Sequence, residues 1–187
     1  MPTGQTADMP ESSSEAMERS FHPLRTADLH RMNRLVSKAH SDRSERRRDL
    51  KGRLLAGCLA QGGGLHFVDP SHGLKDVDLW LFYRSEGLAV GIPSRSRWTY
   101  DFGPSEHGRH PEDDPGKFLG RRVDVMVRGV RGRHDTPAEA VRTWLATGTT
   151  SARLLKEKPL VLVWPKSLVG EIVHTPTDHS DAKRYRS

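Results

Sequence analysis

Three aspartates carry the chemistry this chain can do. Asp76 and Asp78 open the stretch KDVDLWLFYR, residues 75–84, and Asp124 sits in RRVDVMVRGV, residues 121–130. Strands disfavour aspartate in their interiors, so acids at the start of two strongly apolar strands need a reason. Residues i and i+2 of a strand share a face. Asp76 and Asp78 therefore lie on one side of a sheet, with Cα atoms about 7 Å apart from the rise per residue. Like charges at that spacing raise each other's pKa. A divalent cation relieves the repulsion, and carboxylates with water suit magnesium or manganese. Asp124, on a neighbouring strand, would be the third acid. The competing explanation is structural: Asp76 ends a turn and Asp78 pairs with Arg122 on the next strand.

The elements that must position these acids read outward from them. Residues 76–83 form a central strand, apolar on both faces after Asp78. LHFVD (65–69) reads as a short strand before it, PSHG (70–73) as a turn, and LAVGIP (88–93) as a third strand. In 121–130, Val123, Val125 and Val127 share one face, and Asp124 faces the other with Arg122, Met126 and Arg128. Helical spacing runs through 26–40, with Thr26 as its cap, and through 41–64, with Leu50, Leu54, Leu55, Cys58 and Leu59 on one face. Gly62–Gly64 would stop that second helix. Thr136, Pro137 and Glu139 make a capping box for a helix over 136–148. A short helix over 151–158 follows, then a hairpin of 159–165 with 170–174. Residues 94–119 are a polar excursion rich in Pro and Gly. Within it, RSRWTYDFG (95–103) reads as a strand with one apolar face, or as an Arg-aromatic surface that could stack bases. The fold class is α/β (α+β), a small mixed sheet flanked by helices. Residues 1–21 read as a disordered tail, 22–175 as the domain and 176–187 as a second, basic tail.

KDVDLWLFY followed by RRVDVMV resembles the polymerase-beta-like nucleotidyltransferase superfamily, whose members carry a DxD on one core strand and a third acid on the next. More closely, the segment from about Ala56 to Val173 looks like an actinobacterial group of nucleotidyltransferase-fold proteins. That likeness rests on LHFVD, GLKDVDLW, RRVDVMVR, SARLLKEKPLVLVWP and GEIVH. It implies transfer of a nucleoside monophosphate from a nucleoside triphosphate (NTP) to a hydroxyl of an RNA, a protein or a small molecule. Asp76 and Asp78 would hold Mg2+ or Mn2+, and Asp124 would help hold a second ion and activate the acceptor. Lys75 and Arg122, with Arg128, would neutralise phosphate charge. The superfamily places a Gly-Ser pair after its first strand. With that strand taken as 65–69, Val68 and Asp69 stand in its place, Ser71 is a weak substitute, and Gly62–Gly64 come too early. The alternative is an inactive relative that binds nucleic acid or a protein partner through a basic surface.

Composition fits either reading. The 187 residues carry 29% charged and 34% hydrophobic side chains and a net charge of +6, which suits an anionic partner. The single cysteine, Cys58, excludes an intrachain disulfide and a thiolate zinc site. No apolar run approaches the roughly 20 residues that span a bilayer, and the first residues lack a signal-peptide pattern, so a cytoplasmic protein is expected. His66 reads as a half-buried strand residue, His72 as an exposed loop residue, and His107, His110 and His134 as loop histidines without metal-ligand spacing.

Overall fold

The computed structural model describes residues 19–88, 90–92 and 97–176. The expected tails lie outside this range except for residues 19–21 at one end and 176 at the other. Among the described residues, six strands form one mixed sheet in the order β3-β4-β2-β1-β5-β6. The strands are β1 (Leu54–Ala60), β2 (Val77–Arg84), β3 (Arg97–Asp101), β4 (Arg122–Val130), β5 (Leu160–Trp164) and β6 (Ile172–His174). Four α-helices accompany them: α1 (Thr26–Arg46), α2 (Gln61–Val68), α3 (Pro137–Leu145) and α4 (Thr150–Lys156). Only β2 and β4 run parallel; the other neighbours are antiparallel. This is the mixed sheet flanked by helices that the sequence predicts.

Both faces of the sheet are covered. On one, Leu29, Met32, Val36 and Ala39 of α1 pack against Leu79, Leu81, Val123, Val125 and Val163. Asn33 fixes α1 to the sheet by donating its amide to the Val163 carbonyl at 2.8 Å. On the other, Val141 and Trp144 of α3 and Leu155 of α4 cover Cys58, Trp80, Phe82 and Leu162. Thr136 caps α3 by accepting the Glu139 N–H at 3.1 Å. The cap of α1 differs from expectation: Arg25 is its N-cap and Thr26 its first helical residue, with Asp28 accepting the Arg25 N–H at 2.9 Å.

The structure corrects the reading of residues 41–69. The predicted second helix does not form. α1 continues to Arg46, Gly52 turns the chain at φ 71°, and 54–60 are β1, at the centre of the sheet. The run LLAGCLA is apolar at every position, which fits a buried strand as well as a helix face. Gly57 shows why the strand wins: a Cβ there would lie 2.9 Å from Val36 Cγ1, so α1 crosses β1 at close range. Conversely, LHFVD is not a strand. Most of it belongs to α2, which begins in the glycines that were expected to stop a helix. Three glycines cost helix stability, about 1 kcal/mol each relative to alanine. Packing demands two of them. A Cβ on Gly63 would meet Leu59 Cδ1 at 2.5 Å, and one on Gly64 would overlap the Pro159 carbonyl oxygen at 2.1 Å.

Two smaller expectations also change. The described residues of 88–93 form no strand, while residues 89 and 93 lie outside the described range. Described residues 97–119 of the polar excursion hold β3 and an organised loop. The Asp101 carboxylate accepts the N–H groups of Gly103, Leu119 and Gly120, each at 2.9 Å, and so closes that loop upon itself. Cys58 lies on β1 rather than on a helix and is fully buried, and burial pushes its thiol pKa up.

Candidate functional site

The parallel pairing of β2 with β4 sets Asp78 directly opposite Asp124 in register. Both point to the α3–α4 side of the sheet, in phase with Trp80 and Met126. Asp76 precedes β2 on the same side. Ala60, the last residue of β1, is the register partner of Asp78 on its other flank. The chain leaves β1 through Gln61, the one described non-glycine residue at positive φ, 53°. A left-handed conformation there is costly and clusters at functional positions. Gly62 follows, and the space where its Cβ would stand is open. The start of α2, with its unpaired N–H groups, thus lies in the turn beside Asp78.

Charge divides the three acids. Asp124 is buried, with 2% of its side chain exposed. Arg97 of β3 donates a short charged hydrogen bond to it, Thr99 donates at 3.5 Å, and Arg122 Nε stands 3.4 Å away. Arg122 also reaches Asp76 at 3.7 Å and Asp113 of the excursion at 3.1 Å. Its expected role as a phosphate contact therefore meets a side chain already shared among three carboxylates. Asp78 makes none of these pairs, so the expected Asp78–Arg122 bond is replaced by Arg122 bonds to Asp76, Asp113 and Asp124. Burial, then the charges of Asp124 and Asp76, push the Asp78 pKa up to about 6 against the partial relief given by Arg97 and Lys158. Asp78 is the acid of the three whose charge is least compensated.

That imbalance suits a cation at Asp76 and Asp78. Magnesium is commonly held by one or two carboxylates, with water and substrate phosphates completing its shell. Asp124 does not fit a three-acid cage as it stands, because Arg97 and Arg122 hold it. Consistently, the described residues contain no group of three or more His, Cys, Asp or Glu side chains close enough to cage an ion.

The remaining predicted residues are spread around this centre. Lys75 is exposed, and its carbonyl accepts an Arg121 N–H at 3.1 Å. Ser71 lies in a 3-10 turn at the opposite end of α2 from Gly62, exposed, its N–H donated to the Asp69 carboxylate at 3.0 Å. Arg128 stacks on Trp80, its guanidinium carbon 4.3 Å from the ring centre. Of the histidines read as loop residues, His107 and His110 do lie in loops, and each is only 4% exposed. His66 lies in α2, fully buried, with Nε2 2.9 Å from the His22 carbonyl oxygen. His72 sits in the 3-10 turn with Nδ1 3.2 Å from Asp69 Oδ2.

No protein-family profile, curated protein or solved structure matches this chain. Sequence reasoning missed Arg97, Lys158, Asp113 and the Gln61–Gly62 turn. Arg97 had a usable signal. Its strand alternates Arg97-Trp98-Thr99-Tyr100-Asp101, so Arg97 and Thr99 share a face that an acidic neighbour strand can meet.

Proposed function

We propose that this chain is a metal-dependent nucleotidyltransferase that moves a nucleoside monophosphate from an NTP to a hydroxyl acceptor. The observation that carries the reading is the poorly compensated charge of Asp78, opposite Asp124 and beside the turn made by left-handed Gln61 and Gly62. With β1 at 54–60, the position after the first strand falls on Gly62–Gly64, not on Val68 and Asp69. The resemblance to the polymerase-beta-like superfamily reserves that position for its phosphate-holding Gly-Ser pair. This chain offers backbone N–H groups there without a serine hydroxyl.

In this reading Asp76 and Asp78 would hold magnesium, which would supply positive charge to offset that of the triphosphate. The N–H groups at the start of α2 meet the phosphates, favoured by the positive end of the helix. Arg97 moves from Asp124 to the phosphates, an exchange of one anion for another. Asp124, released, accepts the proton of the acceptor hydroxyl, whose oxygen bonds to the α-phosphorus as the bond to the β-phosphate breaks and pyrophosphate leaves. The test is thermal unfolding with magnesium and each of the four ribonucleoside triphosphates. One triphosphate raises the midpoint by several degrees, only with the metal, and not in Asp78→Asn.

A second reading is favoured by the arginines on Asp124. If Arg97 and Arg122 stay there, the acids are structural counter-ions and the protein binds nucleic acid or a protein partner. Buried Arg43 and exposed Arg46 stack on half-buried Trp98 with guanidinium carbons 4.3 Å and 4.7 Å from the ring centre, which leaves Arg46 as the accessible cation beside an aromatic ring, a pairing found where single strands bind. This reading gives no triphosphate effect and salt-sensitive binding of an RNA oligonucleotide.

A further inference from the structure

A second cavity, of about 700 Å³, opens at the far end of β2 and β4 from the aspartates. Ser85, just past β2, and Val130, the last residue of β4, line it. Arg128 lies four residues beyond Asp124 on the same face, about 13 Å along the strand. Trp80 and Met126, register partners on β2 and β4, fill the space between. The cavity is therefore separate from the acidic site.

Its lining is of two kinds. Leu88, Ile92 and Trp144 make an apolar wall. The rest of the lining includes the cations Arg128 and Arg131 and the hydroxyls of Thr143, Thr149 and Ser151. Among the described residues, no aspartate or glutamate lines it. Arg128 is held in place by the rings of Trp80 and Trp144, at 4.3 Å and 5.9 Å, and by donating to the Val127 carbonyl and to Ser151 Oγ at 3.2 Å. Because Ser151 Oγ accepts from Arg128, the Ser151 proton is left to donate elsewhere. Burial lowers the Arg128 pKa, so its charge is partly removed from water, and an anion alongside it restores solvation.

Fixed guanidinium and hydroxyl donors suit a tetrahedral anion with several acceptor oxygens. The volume lies within the range of roughly 300–1,000 Å³ typical of small-molecule sites, far more than one inorganic ion needs. We propose that this cavity binds a small phosphate monoester, its phosphate on Arg128, Arg131 and Ser151 and its organic body against Leu88, Ile92 and Trp144. The site is independent of the nucleotidyl-transfer reading.

The test follows the Trp144 indole N–H by NMR during titration with phenyl phosphate, inorganic phosphate, benzoate and benzyl alcohol. Phenyl phosphate should move the resonance with a sub-millimolar Kd, about tenfold or more below that of inorganic phosphate. Benzoate and benzyl alcohol should bind weakly or not at all. Arg131 is exposed and Ser151 half-buried at a helix start, so Arg131→Gln and Ser151→Ala should fold normally. Each should weaken phenyl phosphate at least about fivefold, the loss of one charge-assisted or hydroxyl bond. Asp78→Asn should leave it unchanged. The proposal is overturned by no shift at about 10 mM phenyl phosphate. Equal affinity for benzoate or for inorganic phosphate, insensitivity to both variants, or loss in Asp78→Asn would overturn it as well.

Discussion

Replacing Asp78 by asparagine should make the metal-free protein more stable. The side chain is half-buried, and its folded pKa of about 6 stands above the ordinary 3.8 because burial, Asp124 and Asp76 all oppose its charge. A carboxyl whose pKa rises on folding holds its proton more tightly in the folded state. Stability then falls as pH rises from about 4 to about 6, and the full cost is present above that window. Two pKa units at 1.36 kcal/mol each set that cost at about 3 kcal/mol, and solvent screening and coupling to the other acids bring it to about 1–3 kcal/mol. At 2–4 °C per kcal/mol for a chain of this size, Asp78→Asn should raise the midpoint by about 2–12 °C near pH 7.5. Circular-dichroism melts in EDTA measure it. The gain should shrink to roughly a third near pH 4.5 and vanish below the unfolded pKa. A variant no more stable than wild type at neutral pH, or a gain that does not depend on pH, refutes the reasoning. Magnesium added back should stabilise wild type more than the variant.

Other consequences are as direct. Gly64→Ala drives a Cβ into the Pro159 carbonyl, so urea unfolding should show a loss of about 1–3 kcal/mol or more. Thr136→Ala removes the α3 cap and should cost about 1 kcal/mol by the same measurement. Cys58 is fully buried with a raised thiol pKa, so the native protein should resist a thiol reagent that labels it fully in denaturant.

The sequence showed most clearly those elements whose local chemistry and tertiary role agree. β4 alternates valines with polar residues, α3 carries its own threonine cap, and β5–β6 form a local hairpin. Residues 54–68 misled because their rules conflict. An unbroken apolar run fits two structures, and a glycine triplet that should break a helix instead begins one, to let α2 lie against the start of β5. The positions of Asp78 and Asp124 at two strand starts were legible. Their unequal environments were not. Arg97 reaches Asp124 only because β3 pairs with β4, and Asp113 reaches Arg122 only because the loop folds back, long-range facts that no local pattern records.

The parallel join of β2 to β4 also has a kinetic meaning. β1 and β2 can meet early, with α2 between them, and β5 and β6 are close in the chain. β4 must instead return past residues 85–121 to lie beside β2, and β3 has no partner in the sheet except β4. Closing so long a loop before its contacts reward it is slow. Asp78 and Asp124 therefore come together only when β2 and β4 pair, a closure far less local than the β1–β2 and β5–β6 pairings and exceeded only by that of β1 with β5. A chain caught before that step has much of its secondary structure and none of its acidic centre.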